Sequence, residues 1–349
     1  MRQERELADR LAETGKLERE EWARLIRGRD EELAEYVFAR ARQLRCRYYG
    51  QEVYIRGLIE FTNFCRNDCY YCGIRKSNSK VRRYRLTGEE ILQCCRNGYA
   101  LGFRTFVLQG GEDGFFTDAV MEEIVREIRK QFPDCAITLS LGERSRESYQ
   151  RLFDAGAGRY LLRHETYDRA HYERLHPPFQ RWETRQRCLR DLKEIGYQVG
   201  AGFMVGSPFQ TVENLADDLC FLKELNPQMV GIGPFIPHRD TPFAGKEAGS
   251  LELTLFLLGL IRLMLPKVLL PATTALGTIA DDGRERGILA GANVVMPNLS
   301  PEAVRGDYLL YDNKRRTGDE AAEGLAELDR RMRAIGYRIA VDRGDSKNI

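Results

Sequence analysis

An excess of charge of either sign is missing from this chain. Across 349 residues, 54 Lys and Arg stand against 52 Asp and Glu, a formal net charge of +2. A chain that neutralises nucleic-acid phosphates along its surface carries a clear basic excess, so no nucleic-acid partner is expected. A long hydrophobic run is missing too. The most apolar stretch, Leu251 to Leu270, is interrupted by Glu252, Arg262, Pro266 and Lys267. A membrane span needs about twenty apolar residues without such breaks, so the stretch reads as a buried helix. The start, MRQERELADRL, has no apolar signal-peptide core. The nine cysteines are an odd number, which argues against a disulfide framework and for a reduced, cytoplasmic setting. Finally, the loop after the first strand-like segment is CRNDCYYC rather than Gly-x-Gly-x-x-Gly, which argues against a dinucleotide-binding sheet.

What the chain does have is a cluster of three cysteines, Cys65, Cys69 and Cys72, in EFTNFCRNDCYYCGIR. Structural zinc closes its tetrahedron with four protein ligands, usually as two pairs. No second pair follows, and the four histidines begin only at His164. Three thiolates at Cys-x3-Cys-x2-Cys spacing suit a cubane iron–sulfur cluster whose fourth iron is open to a non-protein ligand. An open iron indicates chemistry rather than plain electron transfer.

Around this loop, residues 1–50 are polar with apolar side chains at helical intervals, such as Leu33, Val37 and Ala41, and read as helices packed before the main domain. Strand candidates follow at Val53–Phe61, Thr105–Gln109, Ala136–Leu141, Arg159–Arg163, Val199–Val205, Met229–Pro234, Leu269–Thr273 and Ala292–Met296. Helical stretches lie between them, the first opened by Thr87 and Glu90 as a capping box. Eight strands alternating with helices predict a (βα)8 TIM-type barrel over 51–300, with an N-terminal helical extension and a helical tail from 301 to 349 that closes the barrel. The polar segments NFCRNDC, GGED, SLGE, RHET, GSPFQT, PFIPHRDTP and TTALGT all follow strand ends, the face where barrel active sites lie.

Several of these loops carry candidate chemistry. Paired glycines, Gly110 and Gly111 before Glu112, let a ligand approach the backbone, as an ordinary strand-to-helix turn also would. Period-two alternation puts Arg163 and Glu165 on one side of their strand and His164 on the other. A charged pair facing inward either binds a zwitterionic ligand or forms an internal salt bridge. Arg185 is a carboxylate ligand or one of its helix's solvated charges. Thr138 and Ser140 share a strand face that Cys135 does not, and Cys94, Cys95, Cys188 and Cys220 sit in helices as small core residues.

The cysteine loop resembles the signature of the radical SAM superfamily, in which S-adenosylmethionine chelates the open iron of a 4Fe–4S cluster. Tyr71 stands where that family has an aromatic before its last cysteine. The segments IEFTNFCRNDCYYCGIR, RYRLTGEEI, VLQGGED, TLSLGE, RYLLRHET, QMVGIGPFIPHRDTP, PATTALGTI and GANVVMPNLSP are similar, in order, to the radical SAM maturases of the FeFe hydrogenases. The resemblance implies Cys65, Cys69 and Cys72 as cluster ligands and Tyr71, Gly110, Gly111, Glu112, Glu165 and Arg185 around S-adenosylmethionine. It implies Ser140, Arg163, Thr273, Thr274, Tyr308 and Tyr311 around a substrate cavity. It also implies cleavage to a 5′-deoxyadenosyl radical acting on a cysteine-derived iron carbonyl–cyanide complex. A reductant such as ferredoxin or flavodoxin and a maturation scaffold protein are the implied partners. No cysteine follows Cys220, so a single cluster is expected. The rival readings are a methylornithine synthase-type mutase and a non-catalytic iron–sulfur-binding protein.

Overall fold

The computed structural model describes residues 2–315 and 321–347. Three helices lead, α1 (Arg2–Thr14), α2 (Arg19–Arg27) and α3 (Glu31–Tyr49). Strands and helices then alternate: β1 (Glu52–Ile55), β2 (Gly57–Thr62), α4 (Gly88–Ala100), β3 (Thr105–Gly110), α5 (Asp118–Gln131), β4 (Ala136–Ser140), α6 (Arg146–Asp154) and β5 (Arg159–Leu161). After two helices, α7 (Arg169–Leu175) and α8 (Trp182–Ile195), come β6 (Gln198–Ala201), β7 (Met204–Val205), α9 (Val212–Leu225), β8 (Met229–Val230) and β9 (Gly233–Pro234). The chain ends with α10 (Leu251–Met264), α11 (Thr274–Ile279), α12 (Gly283–Leu289), β10 (Val294–Val295), α13 (Glu302–Arg305), α14 (Leu325–Ala334) and β11 (Arg338–Ala340).

β2, β3, β4, β5, β6 and β8 form one parallel sheet in that order. Parallel pairing continues past its edge through single bridges, Met229 to Leu269, Pro271 to Val294 and Asn298 to Leu58, the last returning to β2. The strand sequences explain the two faces. Ile59, Phe61, Phe106, Leu108, Ile137 and Leu139 lie in the apolar layer shared with the helices. Burying each such side chain is worth about 1.5–3 kcal/mol. Their alternates, Glu60, Gln109 and Ser140, are register partners across β2, β3 and β4 and point to the other, inner face.

The apolar stretch at 251–270 is the buried helix expected, with α10 buried from Thr254 to Met264. Arg262 interrupts it without cost to packing because its guanidinium donates to the carbonyls of Gly291, Pro266 and Val268 and to Asn293. No helix among the described residues is long and apolar enough to cross a membrane.

Five expectations need correction. The segment Val53–Phe61 is two strands with a break at Arg56, β1 pairing with β10 and β11 and β2 with β3. Gly57, just after the break, leaves room for Leu299: a Cβ there would meet its side chain at 2.1 Å. Val199–Val205 and Met229–Pro234 break in the same way, where Gly202 (φ +150°) lies so close to Gly231 that a Cβ would stand 2.0 Å from its carbonyl oxygen. The seventh stave ends early, and Thr273 caps α11 rather than closing a strand. The tail, expected to be helical, ends in β11 beside β1. Beyond it, the Arg343 carbonyl accepts from Thr105 Oγ1 at 2.7 Å and Asp345 pairs with Arg159 at 2.6 Å, which places this segment at the amino ends of the strands. The stretch before it, near residue 310, covers the carboxyl ends instead, where the Gly73 N–H donates to the Leu310 carbonyl at 2.8 Å.

Candidate active site

The cysteine loop leaves β2 at the carboxyl end of the sheet and is held in shape by its own polar residues. Asp68 accepts from Arg75 Nε and Nη2 at 2.8 and 2.6 Å and from the Ser77 N–H and Oγ at 2.9 and 2.7 Å. Burial opposes its charge, but these donors hold the carboxyl down at about 2. Arg83 donates to the carbonyls of Asn63, Ile74, Arg75 and Asn78, closing the loop around the cysteines. From the other side Gly111 approaches so closely that a Cβ would lie 2.2 Å from the Phe64 oxygen and 2.8 Å from Cys65 Cβ. That contact explains a glycine at the end of β3 better than a turn alone does.

Within this frame the three thiols lie near one another and half-buried. Burial pushes all of them up, Cys69 to about 12, and Cys72 is raised further by Cys69 and Cys65. Metal coordination reverses that, since a ligating thiol is deprotonated outright. Among the described residues no three His, Cys, Asp or Glu side chains converge on a single ion. Three thiols sharing one loop suit a cubane cluster whose fourth iron takes a non-protein ligand. Gln180 adds a contact to sulfur: its Nε2 donates to Cys69 Sγ at 3.2 Å while its Oε1 accepts from the Asp68 N–H at 3.2 Å. Tyr71, next to Cys72, shares a 3.1 Å hydrogen bond with His176 Nε2, and His176 Nδ1 donates to the Tyr172 carbonyl at 2.9 Å.

Beyond β5 the chain turns sharply. Glu165 sits at φ 65°, a left-handed conformation uncommon for a non-glycine residue. Its N–H donates to the Gly202 carbonyl at 3.1 Å. On the opposite side His164 is wholly buried, 3.2 Å from Asp218 Oδ1, with its Nδ1 accepting from the Gly202 N–H at 3.3 Å. Asp218 also accepts from the Tyr167 N–H at 2.6 Å, so the turn is fastened on both sides. Arg163 and Glu165 therefore share a face, as alternation predicts, and form a 3.2 Å ion pair. Arg163 Nη2 and Glu165 Oε2 thus meet each other, while Arg163 Nε, Thr138 Oγ1 and Thr273 Oγ1 are buried without a hydrogen bond. Buried polar atoms left unbonded on one inner face are the complement of a polar ligand.

Arg185 is no solvated helix charge. It reaches inward from α8, buried, donating from Nη1 to the Arg163 carbonyl at 2.5 Å and pairing with Glu143 at 2.7 Å. Desolvation opposes its charge, but the carboxylates of Glu143 and Glu165 keep it protonated. Glu165 in turn acts on Tyr71 and Cys72. Cysteines, Tyr71, Glu165 and Arg185 are thus one electrostatic neighbourhood. Glu112 is turned away, towards Arg66 and the Glu143 N–H, each at 2.9 Å. Ser140 is partly buried beside Gln109. Tyr308 lies buried near Gln109 (3.5 Å), its carbonyl accepting from Lys314, whose ammonium also meets the buried Glu60. Thr274 opens α11 and Tyr311 is partly buried in the covering segment. Periodicity gave no sign of Gln180 or His176, because each meets the cysteine loop from a different βα unit.

Comparison with known proteins identifies the family. Residues 59–222 match the radical SAM superfamily, whose members combine a 4Fe–4S cluster with S-adenosylmethionine. The chain is 44% identical to the FeFe hydrogenase maturase subunit HydE of Thermotoga maritima, over 96% of its own length and 97% of that protein's. It belongs to the HydE family of radical SAM enzymes. It is also 28% identical to the 3-methylornithine synthase of Methanosarcina acetivorans over 95% of its length and 93% of the relative's. Among solved structures, a methylornithine synthase superposes with a TM-score of 0.83 at 28% identity, covering 96% of this chain and 97% of that one.

Proposed function

We propose that the protein works in maturation of the FeFe hydrogenase, cleaving S-adenosylmethionine and acting on a small cysteine-derived iron carbonyl–cyanide complex. The observation that carries the reading is the convergence of Glu165 and Arg185 on Cys69, Tyr71 and Cys72 of the cysteine loop. The closed (βα)8 barrel is the proposed architecture, with the bridged staves completing the sheet. Residues 1–50, 51–300 and 301–349 are its extension, barrel and closing tail.

Cys65, Cys69 and Cys72 would hold the cluster. When bound, the cluster would supply an electron and S-adenosylmethionine a 5′-deoxyadenosyl radical. The chain's own residues bind and position. Glu165 accepts from the ammonium or ribose hydroxyls of S-adenosylmethionine, and Arg185, held by Glu143, fixes the turn that carries Glu165 and offers a cation to a carboxylate. Gly110, Gly111, Glu112 and Tyr71 shape the surroundings of the cofactor. Arg163, released from its ion pair, meets the carboxylate of a cysteine-derived substrate, with Ser140, Thr273 and Thr274 as hydroxyl donors. Tyr308 and Tyr311, in the covering segment, exclude water. A reduced cytoplasm, an electron donor of the ferredoxin or flavodoxin kind and a scaffold protein that accepts the product complete the proposal.

Anaerobic reconstitution followed by assay for 5′-deoxyadenosine, then for restoration of hydrogenase activity in a host lacking its own HydE, tests it. Conversion of lysine to methylornithine, or of dethiobiotin to biotin, overturns the substrate assignment and leaves the radical chemistry in place.

A further inference from the structure

We propose that the solvent-facing side of the cysteine loop docks an acidic one-electron carrier protein. This rests on the radical SAM reading and names the surface through which its electron arrives. From Cys65 to Arg85 the chain carries seven Lys and Arg and a single acid, Asp68, in a protein whose net charge is only +2. Arg75 and Arg83 are spent on the loop's interior. The other five point outward. Arg66, Lys80, Arg82 and Arg85 are 66, 77, 71 and 34% exposed, whereas the carboxylates they meet, Glu112, Asp240, Asp307 and Asp113, are 9, 16, 17 and 4% exposed. Each pair is stacked with its anion beneath and its cation in water. Lys76 is exposed as well. The surface above the cysteines is therefore cationic although the chain as a whole is nearly neutral.

Apolar anchors border the same surface. Phe115, Phe179 and Phe209 are three of the six large apolar side chains exposed among the described residues. Phe179 precedes Gln180, the residue bonded to Cys69. Phe209 packs edge-on against Phe243, which packs against Tyr70 of the cysteine loop, and Arg174 lies 3.5 Å over its ring. Phe115 sits under Arg85, 4.8 Å away. Exposed aromatics among arginines make the composition of a protein contact, and a cationic rim speeds encounter with an anionic partner. Electron tunnelling weakens exponentially with distance, so a carrier must dock where the cysteines lie nearest solvent. The transfer itself is outer-sphere: the carrier loses one electron, the centre held by Cys65, Cys69 and Cys72 gains one, and no bond or proton changes.

The test is anaerobic stopped-flow reduction of the reconstituted full chain by flavodoxin hydroquinone across a salt series, with dithionite in parallel. Two variants outside the cofactor and substrate machinery are compared: the triple Lys76→Gln/Arg174→Gln/Arg181→Gln, whose Arg174 and Arg181 are exposed on the segment that carries Phe179 and Gln180, and the single Phe179→Ser. The wild-type rate with flavodoxin should fall steeply with salt. The triple variant should react about tenfold or more slowly at low salt and lose most of that dependence. Phe179→Ser should need severalfold more flavodoxin for half-maximal rate. Dithionite should reduce all three proteins alike. Wild-type rates and salt dependence with flavodoxin in both variants overturn the docking surface. Failure of the wild type to form 5′-deoxyadenosine even with dithionite instead overturns the enzymatic reading, and the docking proposal falls with it.

Discussion

Gln180 Nε2 lies 3.2 Å from Cys69 Sγ, and the same amide's oxygen is occupied by the Asp68 N–H. That second bond settles the amide's orientation, so its N–H₂ faces the sulfur. A donor to a cluster thiolate stabilises the reduced state more than the oxidised one, because the reduced state carries more negative charge. Gln180→Leu is expected to lower the cluster's midpoint potential by roughly 40 mV, the one-electron equivalent of a hydrogen bond worth about 1 kcal/mol. A potentiometric titration followed by electron paramagnetic resonance measures it; an unchanged potential removes Gln180 from the redox site.

Replacing Cys65, Cys69 and Cys72 by Ala should abolish iron and sulfide binding together with formation of 5′-deoxyadenosine. Cys188 is fully buried against the Arg144 carbonyl, and Cys188→Ser should retain iron while losing some thermal stability. Iron and sulfide analysis of the reconstituted proteins separates the two classes.

Glu165→Ala and Arg185→Ala should keep the cluster and weaken S-adenosylmethionine binding by roughly tenfold to a hundredfold, the loss of one charge-assisted hydrogen bond of about 1.5–3 kcal/mol. Anaerobic calorimetry reads the affinity directly. Normal binding in both variants would leave them a purely structural role.

Gly111→Ala should disrupt the cysteine loop, since the new methyl would stand 2.2 Å from the Phe64 oxygen. Gly114→Ala is the control two loop positions beyond Glu112, because its Cβ would meet nothing within 4 Å. Reduced cluster loading in the first and normal loading in the second is the expected result.

Burial lowers His164 and His176 to about 3, well under the ordinary histidine value of 6.5. Between those limits the unfolded chain binds protons at both positions that the folded chain refuses, so stability rises with pH and is lost on acidification. Each histidine contributes a slope of up to about 1.4 kcal/mol per pH unit in that window. Urea midpoints should therefore drop between pH 7 and pH 5, and the drop should shrink in His164→Gln. An equal drop in that variant would point to other groups.

Much of the architecture was legible because its determinants are local. The capping box at Thr87 and Glu90 forms as written, and Gly196 adopts φ 104° after α8. Strand alternation placed Arg163 with Glu165 and turned His164 away, and spacing alone grouped the three cysteines. What was not legible depends on contacts far apart in the chain. Gln180 meets Cys69 across 111 residues, and whether Arg185 faced water or the site depended on Glu143 standing where its guanidinium arrives. The break at Gly202 goes with the close approach of Gly231, which no strand records in its own pattern. The carboxyl-terminal segment likewise shows no affinity for the amino ends of the strands until Thr105 and Arg159 are brought beneath it. Periodicity and spacing report which way each side chain points along its own element; only the folded chain decides what it then meets, because burial and electrostatics depend on neighbours supplied by other elements.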